Sequence, residues 1–433
     1  MADLYERLRQ IKQRKTAGAG AAGLGGGVHR EMRDIPPGVD WRRHAPAVYL
    51  RDRVEPLPGC WSVQLGPKGG WQNVSPVLMR QSAGDPAVLM DPVFIDIETT
   101  GLSSGAGTVA FLIGLGRFVI DGPEAAPAVK VRQYFLADLG AEEEYMAAVL
   151  AELQRCPLES ATRLYVTYNG GTFDLPVLRT RSIMTRKSFP EAVHLDLLPV
   201  TRRLYREKIG SCSLSDVESR VLHLQRNEDI PGREVPERYL EFLRGGSAHR
   251  LRPVLEHHYA DIAHMAWIAL YFNGVIRQGG HPSPAGCEAG FLPPDEAGLY
   301  RLRLERGPEA ERPQAIDELI RQVNRGVTAG QRDWFRLADL LVTVLRRDKR
   351  WGELIATLEG LCRNRGSVSD YVDLAVQLEH RSRDYARALS LVTTAAGRYG
   401  WDPALQHRAA RLHRRLQGIS GIAGGTPRQS ASS

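Results

Sequence analysis

A chain of 433 residues, 43% hydrophobic and 25% charged, is long enough for two or three domains and has the composition of an ordinary globular protein. Its formal net charge of +7 admits polyanionic partners, while five scattered cysteines (Cys60, Cys156, Cys212, Cys287, Cys362) without a C-x-x-C pair argue against a disulfide framework or a cysteine zinc site. No apolar run reaches membrane-spanning length, since residues 109–116 stop at Arg117, and the charged N-terminus is no secretory signal; a cytoplasmic protein without a membrane partner is expected.

Residues 1–15 set Leu4, Leu8 and Ile11 on one helical face among charges, and residues 16–27 are almost all Gly and Ala. An amphipathic helix and a flexible linker are therefore expected over 1–27. Residues 28–90 are Pro-, Gly- and Arg-rich, with short strand-like pieces at 60–65 and 74–79; they read as a lead-in that packs on the next domain. From residue 91 the pattern becomes α/β. The run Val93-Phe94-Ile95-Asp96-Ile97-Glu98-Thr99-Thr100-Gly101 is built of strand formers bounded by Pro92 and Gly101, and two acids interrupt it. Side chains two apart on a strand share a face, about 7 Å apart, so Asp96 and Glu98 point together out of an apolar element. Burying two carboxylates side by side is costly unless something positive neutralises them, and a hard divalent cation does so well. The plain alternative is a strand end where both acids meet solvent.

Strand character with Gly punctuation continues at 108–115, 117–120 and 129–135, a hairpin-connected antiparallel set; a helix over 141–154 and a strand over 163–168 come next. Asn169-Gly170-Gly171 turns the chain, Thr172 is placed to cap a helix starting near Phe173, and Asp174 falls in its first turn. The helix dipole tolerates an acid there whether or not it has another task. Between 176 and 208 eight basic residues (Arg179, Arg181, Arg186, Lys187, Arg202, Arg203, Arg206, Lys208) accompany three acids, either a solvated face or a rim that guides phosphates. Asp196 lies in another apolar run, His194-Leu195-Asp196-Leu197-Leu198. A helix over 252–276 puts His257 and Asp261 at i and i+4, a pairing that, met alone, serves a surface contact more often than catalysis.

The Gly/Pro-rich stretch 279–294 reads as a boundary. Beyond Pro313 the pattern is helical, and Leu337, Leu340, Leu341, Trp351, Leu354, Ile355 and Leu358 recur 34 residues later as Tyr371, Leu374, Ala375, Tyr385, Ala388, Leu389 and Val392. That is the tetratricopeptide period. Leu405, Ala409 and Leu412 begin a partial third unit suited to a cap, and the Gly/Ser-rich tail from 418 is expected to be disordered.

Asp96, Glu98, Asp174 and Asp261, with His257 one turn away, are thus candidates for a single pocket. Four converging acids repel one another, so two divalent ions, Mg²⁺ or Mn²⁺, are the expected occupants. Two ions about 4 Å apart suit in-line attack on a phosphodiester, one activating water and the other steadying the leaving oxygen. His257 would orient the water and accept its proton.

Asp96-Ile97-Glu98-Thr99-Thr100-Gly101-Leu102 resembles the first motif of the DEDD (DnaQ-like) 3′–5′ exonucleases. Tyr168-Asn169-Gly170-Gly171-Thr172-Phe173-Asp174 resembles their second, and His257-His258-Tyr259-Ala260-Asp261 their third. With Gly105-Ala106-Gly107-Thr108, Phe111-Leu112-Ile113-Gly114 and Asp229-Ile230-Pro231-Gly232, the chain looks similar to the YprB-like ribonuclease-H-like proteins, which are bacterial and often carry tetratricopeptide repeats. The resemblance spans about residues 91–276. It implies an α/β fold, a ribonuclease-H-like mixed sheet flanked by helices, with an all-α repeat domain after it. It also implies metal binding by Asp96, Glu98, Asp174 and Asp261, and 3′–5′ exonuclease activity on a single strand or 3′ end of DNA or RNA.

Thr99, Asn169 and Phe173 within the motifs, and Arg179 and Arg181 in the basic run, are the residues expected to touch nucleic acid. The repeats are expected to offer a face to a protein partner. One departure stands out: the histidine subclass spaces its His five positions before the last Asp, whereas His257 stands four before Asp261. The role of His257 as base is therefore open, with His258 and Tyr259 as other pocket-lining candidates. The expected division is 1–27 helix and linker, 28–90 lead-in, 91–276 exonuclease domain, 277–312 linker, 313–417 repeats and 418–433 tail. The competing class is an interaction protein, in which a nuclease-like fold binds nucleic acid and the repeats act as scaffold.

Overall fold

In the computed structural model, which describes residues 40–57, 64–79, 89–101, 107–120, 126–158, 161–226, 230–279, 290–326 and 331–423, the strand β3 (Met90–Thr99) lies inside a seven-stranded mixed sheet. The expected N-terminal helix and linker (1–27), and Leu102, Gly105, Ala106 and Asp229 of the family motifs, lie outside those residues. β3 pairs antiparallel with β4 (Ala110–Val119) and parallel with β6 (Thr162–Thr167). Beyond β4 the sheet continues antiparallel through β5 (Ala128–Leu136), β2 (Val48–Pro56) and β1 (Trp41–Ala45); beyond β6, β7 (Val193–Asp196) runs parallel. Alternation along β3 sends Val93, Ile95 and Ile97 to one face and Phe94, Asp96 and Glu98 to the other. The first set packs in a core with Tyr145, Met146, Leu178 and Tyr239, and Phe94 packs in a second core with Ile262, Ala266 and Leu204.

Those partners come from helices on both faces of the sheet: α2 (Glu142–Gln154), α3 (Asp174–Met184), α4 (Leu197–Ile209), α5 (Leu214–Arg220), α6 (Val235–Leu243) and α7 (Arg252–Arg277), preceded in the chain by a single turn, α1 (Pro76–Met79). α7 is buried over most of its length and lies across the sheet, which explains two glycines of β4. A Cβ at Gly114 would come within 1.9 Å of Ile262 Cδ1 and 2.5 Å of His258 Cε1, and one at Gly116 within 2.7 Å of Ile262 Cγ2. Only glycine leaves room for the helix there.

Two expectations change. β4 is one strand rather than two, because Gly116 stays in the ladder opposite Phe94 and Val131. The lead-in supplies β1 and β2, so the sheet begins well before residue 91. The charged Arg51 of β2 hides that strand in the sequence, yet Arg51 is buried. Its guanidinium donates to Gln133 Oε1 (2.8 and 2.5 Å), Glu256 Oε1 (2.6 Å) and the Leu255 carbonyl (3.2 Å), and Gln133 Nε2 donates to the same carbonyl (2.8 Å). This network fixes the start of α7 against the sheet. Farther along, Asn273 accepts from the Ser75 N–H (2.8 Å) and donates to Gln64 (2.7 Å), so the lead-in does pack on α7. The piece at 74–79, expected to be a strand, contains α1.

The chain forms two compact units, the first running to Leu302 and the second from Glu309, with residues 303–308 divided between them. Of the expected linker, residues 280–289 lie outside the described residues, but Phe291, Leu299 and Leu302 are buried in the first unit's core. Asp295 N–H also donates to the Leu204 carbonyl (2.7 Å), just ahead of α8 (Glu296–Arg306). The second unit is helical: α9 (Arg312–Asn324), α10 (Gln331–Arg347), α11 (Trp351–Asn364), α12 (Val368–Gln377), α13 (Tyr385–Tyr399) and α14 (Pro403–Ala423). Ion pairs join its elements, Arg350 to Asp317, Arg365 to Asp339, and Arg387 to Glu359. Leu405, Ala409 and Leu412 are buried, and α14 continues past Gly418, where a disordered tail is expected, since no proline interrupts it before Pro427. Among the described residues no helix is long and apolar enough to cross a membrane.

Candidate metal centre

From Asp91 to Thr100 every residue is buried except Asp96 and Glu98, which are half-buried on the face covered by α7. The strand's other acid, Asp91, is accounted for: Arg117 Nη1 lies 2.7 Å from both its oxygens. Asp96 and Glu98 receive no comparable hydrogen bond on their carboxylates among the described residues. The ladder also breaks here, since the β3–β4 register shifts between Glu98 and Thr99, a bulge at the end of the strand that carries both acids.

Asp174 arrives from β6. Asn169 takes a left-handed conformation (φ 68°), Leu175 N–H bonds the Gly170 carbonyl, and the chain enters α3 with Asp174 as its first residue. Thr172 is not the cap; its hydroxyl donates to the Asn169 carbonyl (3.2 Å) and closes the turn instead. Asp196 holds this turn from outside, accepting from the N–H groups of Asn169 (2.8 Å), Gly171 (3.4 Å) and Leu198 (3.0 Å). The Asp174 carboxylate itself is held by the backbone of Ile97, between the two acids of β3.

Asp261 and His257 come from α7, with His257 Nε2 3.3 Å from Asp261 Oδ2. One ligand atom each from Glu98, His257 and Asp261 lies within 4.8 Å of the others. The neighbouring His258 is fully buried and structural: Gln133 Nε2 donates to its Nδ1 (2.9 Å), so its Nε2–H donates to the Asp96 carbonyl (3.1 Å). Burial drives the His258 pKa down to about 3, keeping the ring neutral. Tyr259 points away, its hydroxyl donating to Glu55 (2.8 Å).

The electrostatics express crowding. Burial, then the charges of Asp261, Asp174 and Glu98, push the Asp96 carboxyl well above its usual value. Burial, Asp261 and Asp174 do the same to Glu98. Asp174 is pushed up to about 7, chiefly by burial, although backbone hydrogen bonds oppose the shift. Asp261 is raised by burial against the opposing pull of His257 and Arg226. Four acids that cannot all stay ionised together are what a hard divalent cation would relieve, and their oxygens are the donor type it takes. The residues present fit such an ion.

The residues expected to touch nucleic acid divide. Arg179 is exposed, near Glu191 (3.4 Å) and over the Phe189 ring; Asn169 is exposed; Phe173 is half-buried beside Asp174. Thr99 is buried, its hydroxyl donating to the Gly101 carbonyl (2.6 Å). Arg181 is buried too, paired with both carboxylate oxygens of Glu142, so it braces α3 against α2 and is not part of an exposed rim. The residue that sequence reasoning missed is Arg226. Its guanidinium donates to Asp261 Oδ1, to His257 Nδ1 (3.0 Å) and to both oxygens of Glu218 (2.6 and 2.5 Å).

Comparison with known proteins agrees with this picture. The model of the RNase H superfamily matches residues 93–273, which contain all four acids. The uncharacterized protein YprB of Bacillus subtilis (strain 168) is 30% identical over 304 residues, covering 69% of this chain and 67% of that protein.

Proposed function

Because the chain belongs to the RNase H superfamily, and within it to the family of Bacillus subtilis YprB, we propose that it is a metal-dependent nuclease, a 3′–5′ exonuclease acting on DNA or RNA. The observation that carries this reading is the meeting of Asp96, Glu98, Asp174 and Asp261 from three separate elements in one recessed cluster, where Asp261 and Asp174 raise the pKa of both Asp96 and Glu98 and Asp261 raises that of Asp174. In it, these four carboxylates hold two divalent ions, Mg²⁺ or Mn²⁺. Such ions, when bound, supply a nucleophilic water and stabilise the leaving oxygen.

The chain's own residues do the rest. The bulge after Glu98 and the Ile97 backbone hold Asp96, Glu98 and Asp174 on one side of the cluster, and α7 presents Asp261 on the other. His257 Nδ1 accepts from Arg226, so the ring hydrogen is on Nε2, facing Asp261. In this arrangement His257 orients Asp261 rather than taking a proton from water, and becomes a base only once it leaves Arg226. Arg179 and the exposed basic residues of α4 lead a single strand's phosphates toward the acids.

The test is release of mononucleotides from an end-labelled single strand, DNA and RNA in parallel, with and without Mg²⁺ or Mn²⁺. Expected is metal-dependent 3′-end shortening that Asp96→Asn eliminates. The pairing of Arg226 with Asp261 favours a second reading, a nucleic-acid-binding scaffold with a protein partner on tetratricopeptide-like repeats. Strand binding without metal-dependent shortening would select it.

A further inference from the structure

Asp261 and Glu98 are near enough to share an ion with His257, yet Asp261 and His257 are already engaged by a cation of the chain itself. Arg226 Nη2 takes Asp261 Oδ1, while His257 Nε2 faces Oδ2, so each oxygen of Asp261 already carries one donor. Arg226 Nη1 also occupies His257 Nδ1 (3.0 Å), which leaves a hydrogen on Nε2, where an ion would need a lone pair. An ion ligated by His257 Nε2 is therefore excluded while the guanidinium keeps its present place, and an ion on Asp261 would have to sit against the guanidinium's charge.

The arginine is firmly placed. Its side chain is 9% exposed, and it forks onto Glu218, itself 1% exposed and bonded by His264 Nδ1 (2.9 Å). On the opposite side of the cluster, Asp96 and Glu98 carry no such fork among the described residues, although the charge of Arg226 still pulls on Asp96.

We propose, resting on the nuclease reading, that Arg226 holds the place of one of the two ions. The Asp96–Glu98–Asp174 side takes up a divalent ion on its own, while Asp261 stays paired with Arg226 until a phosphate enters. A guanidinium forks onto phosphate as readily as onto carboxylate, so the entering strand draws Arg226 off Asp261 and His257 while Glu218 keeps it tethered. Loading of the second ion is thereby tied to the presence of nucleic acid, and the bare protein does not hold a fully charged centre.

The experiment is calorimetric titration of Mn²⁺ into the full chain, alone and with a hydrolysis-resistant phosphorothioate single strand. Expected is one ion per chain without the strand and two with it. Arg226→Gln should bind two in both conditions, with Arg226→Lys close to the parent chain. Should Arg226→Gln fail to fold because Glu218 is left unpaired, Glu218→Gln/Arg226→Gln replaces both charges and carries the same expectation. Two ions bound by the unaltered chain without nucleic acid would overturn the proposal, as would a second ion unaffected by removal of Arg226. Both outcomes leave the nuclease reading standing. No ion bound in any condition would overturn that reading as well.

Discussion

At the scale of single residues, what distinguishes Asp96 and Glu98 is not that they are acids in a strand but that no cation among the described residues pairs with their carboxylates, Arg226 pulling on Asp96 only from its place on Asp261. Asp91, five residues before Asp96, is more deeply buried and is neutralised by Arg117. The unanswered charges have a consequence for stability. The folded protein holds protons on Asp96, Glu98 and Asp174 that the unfolded chain has already lost above its usual carboxylate range of about 4. Stability of the metal-free protein should therefore fall as pH rises from there through about 7, the value for Asp174. Thermal unfolding in a chelator should give a higher Tm at pH 6 than at pH 8, and Mg²⁺ should raise the Tm most at pH 8. Asp96→Asn should raise the metal-free Tm at pH 8 and flatten the slope while removing cleavage. An Asp96→Asn protein that is less stable at pH 8 without metal would show that like-charge crowding does not govern this cluster.

At the scale of elements, the site depends on how closely α7 lies on β4, and Gly114 is the point of closest approach. Gly114→Ala should cost about 1–3 kcal/mol through overpacking and weaken Mn²⁺ binding by displacing Asp261 from Glu98. An unchanged Tm would mean that the helix is not seated this tightly on the strand. Two arginines of α3, two positions apart, should behave oppositely. Arg181→Ala leaves Glu142 unpaired in a recessed site and should destabilise by about 3–5 kcal/mol. Arg179→Ala should leave the Tm within error, since its ion pair with Glu191 is exposed. It should instead weaken single-strand binding and reduce its salt dependence, read from affinities at several salt concentrations. The same elements show what the sequence could reveal. Two acids in a run of strand formers and a 34-residue recurrence are visible because local periodicity carries them. β1 and β2 are not, because Arg51 reads as surface until Gln133 and Glu256, far along the chain, are seen to answer it. Arg226 is hidden for the same reason. It sits 35 residues before Asp261 in a polar stretch with no period, and only the fold brings them together.

At the scale of the whole molecule, both units carry buried cores, and all four acids belong to the first. Where the chain can be cut is decided by packing rather than by composition. The Gly/Pro-rich stretch 279–294 invites a cut near 280, but that would remove Phe291, Leu299 and Leu302 from the first unit's core and free the Leu204 carbonyl from Asp295. Losing three buried side chains of this size costs several kcal/mol, enough to unfold a domain of ordinary stability. A protein ending after Pro308 keeps all of them. It should fold with a cooperative thermal transition, bind Mn²⁺ and retain metal-dependent shortening of a labelled strand, while a protein ending at 280 should be unfolded or aggregated. The second unit alone should show no cleavage. Circular dichroism and the cleavage assay on both truncations decide it. A folded but inactive 1–308 protein would make the second unit part of the substrate path, and would overturn the assignment of all the chemistry to the first unit.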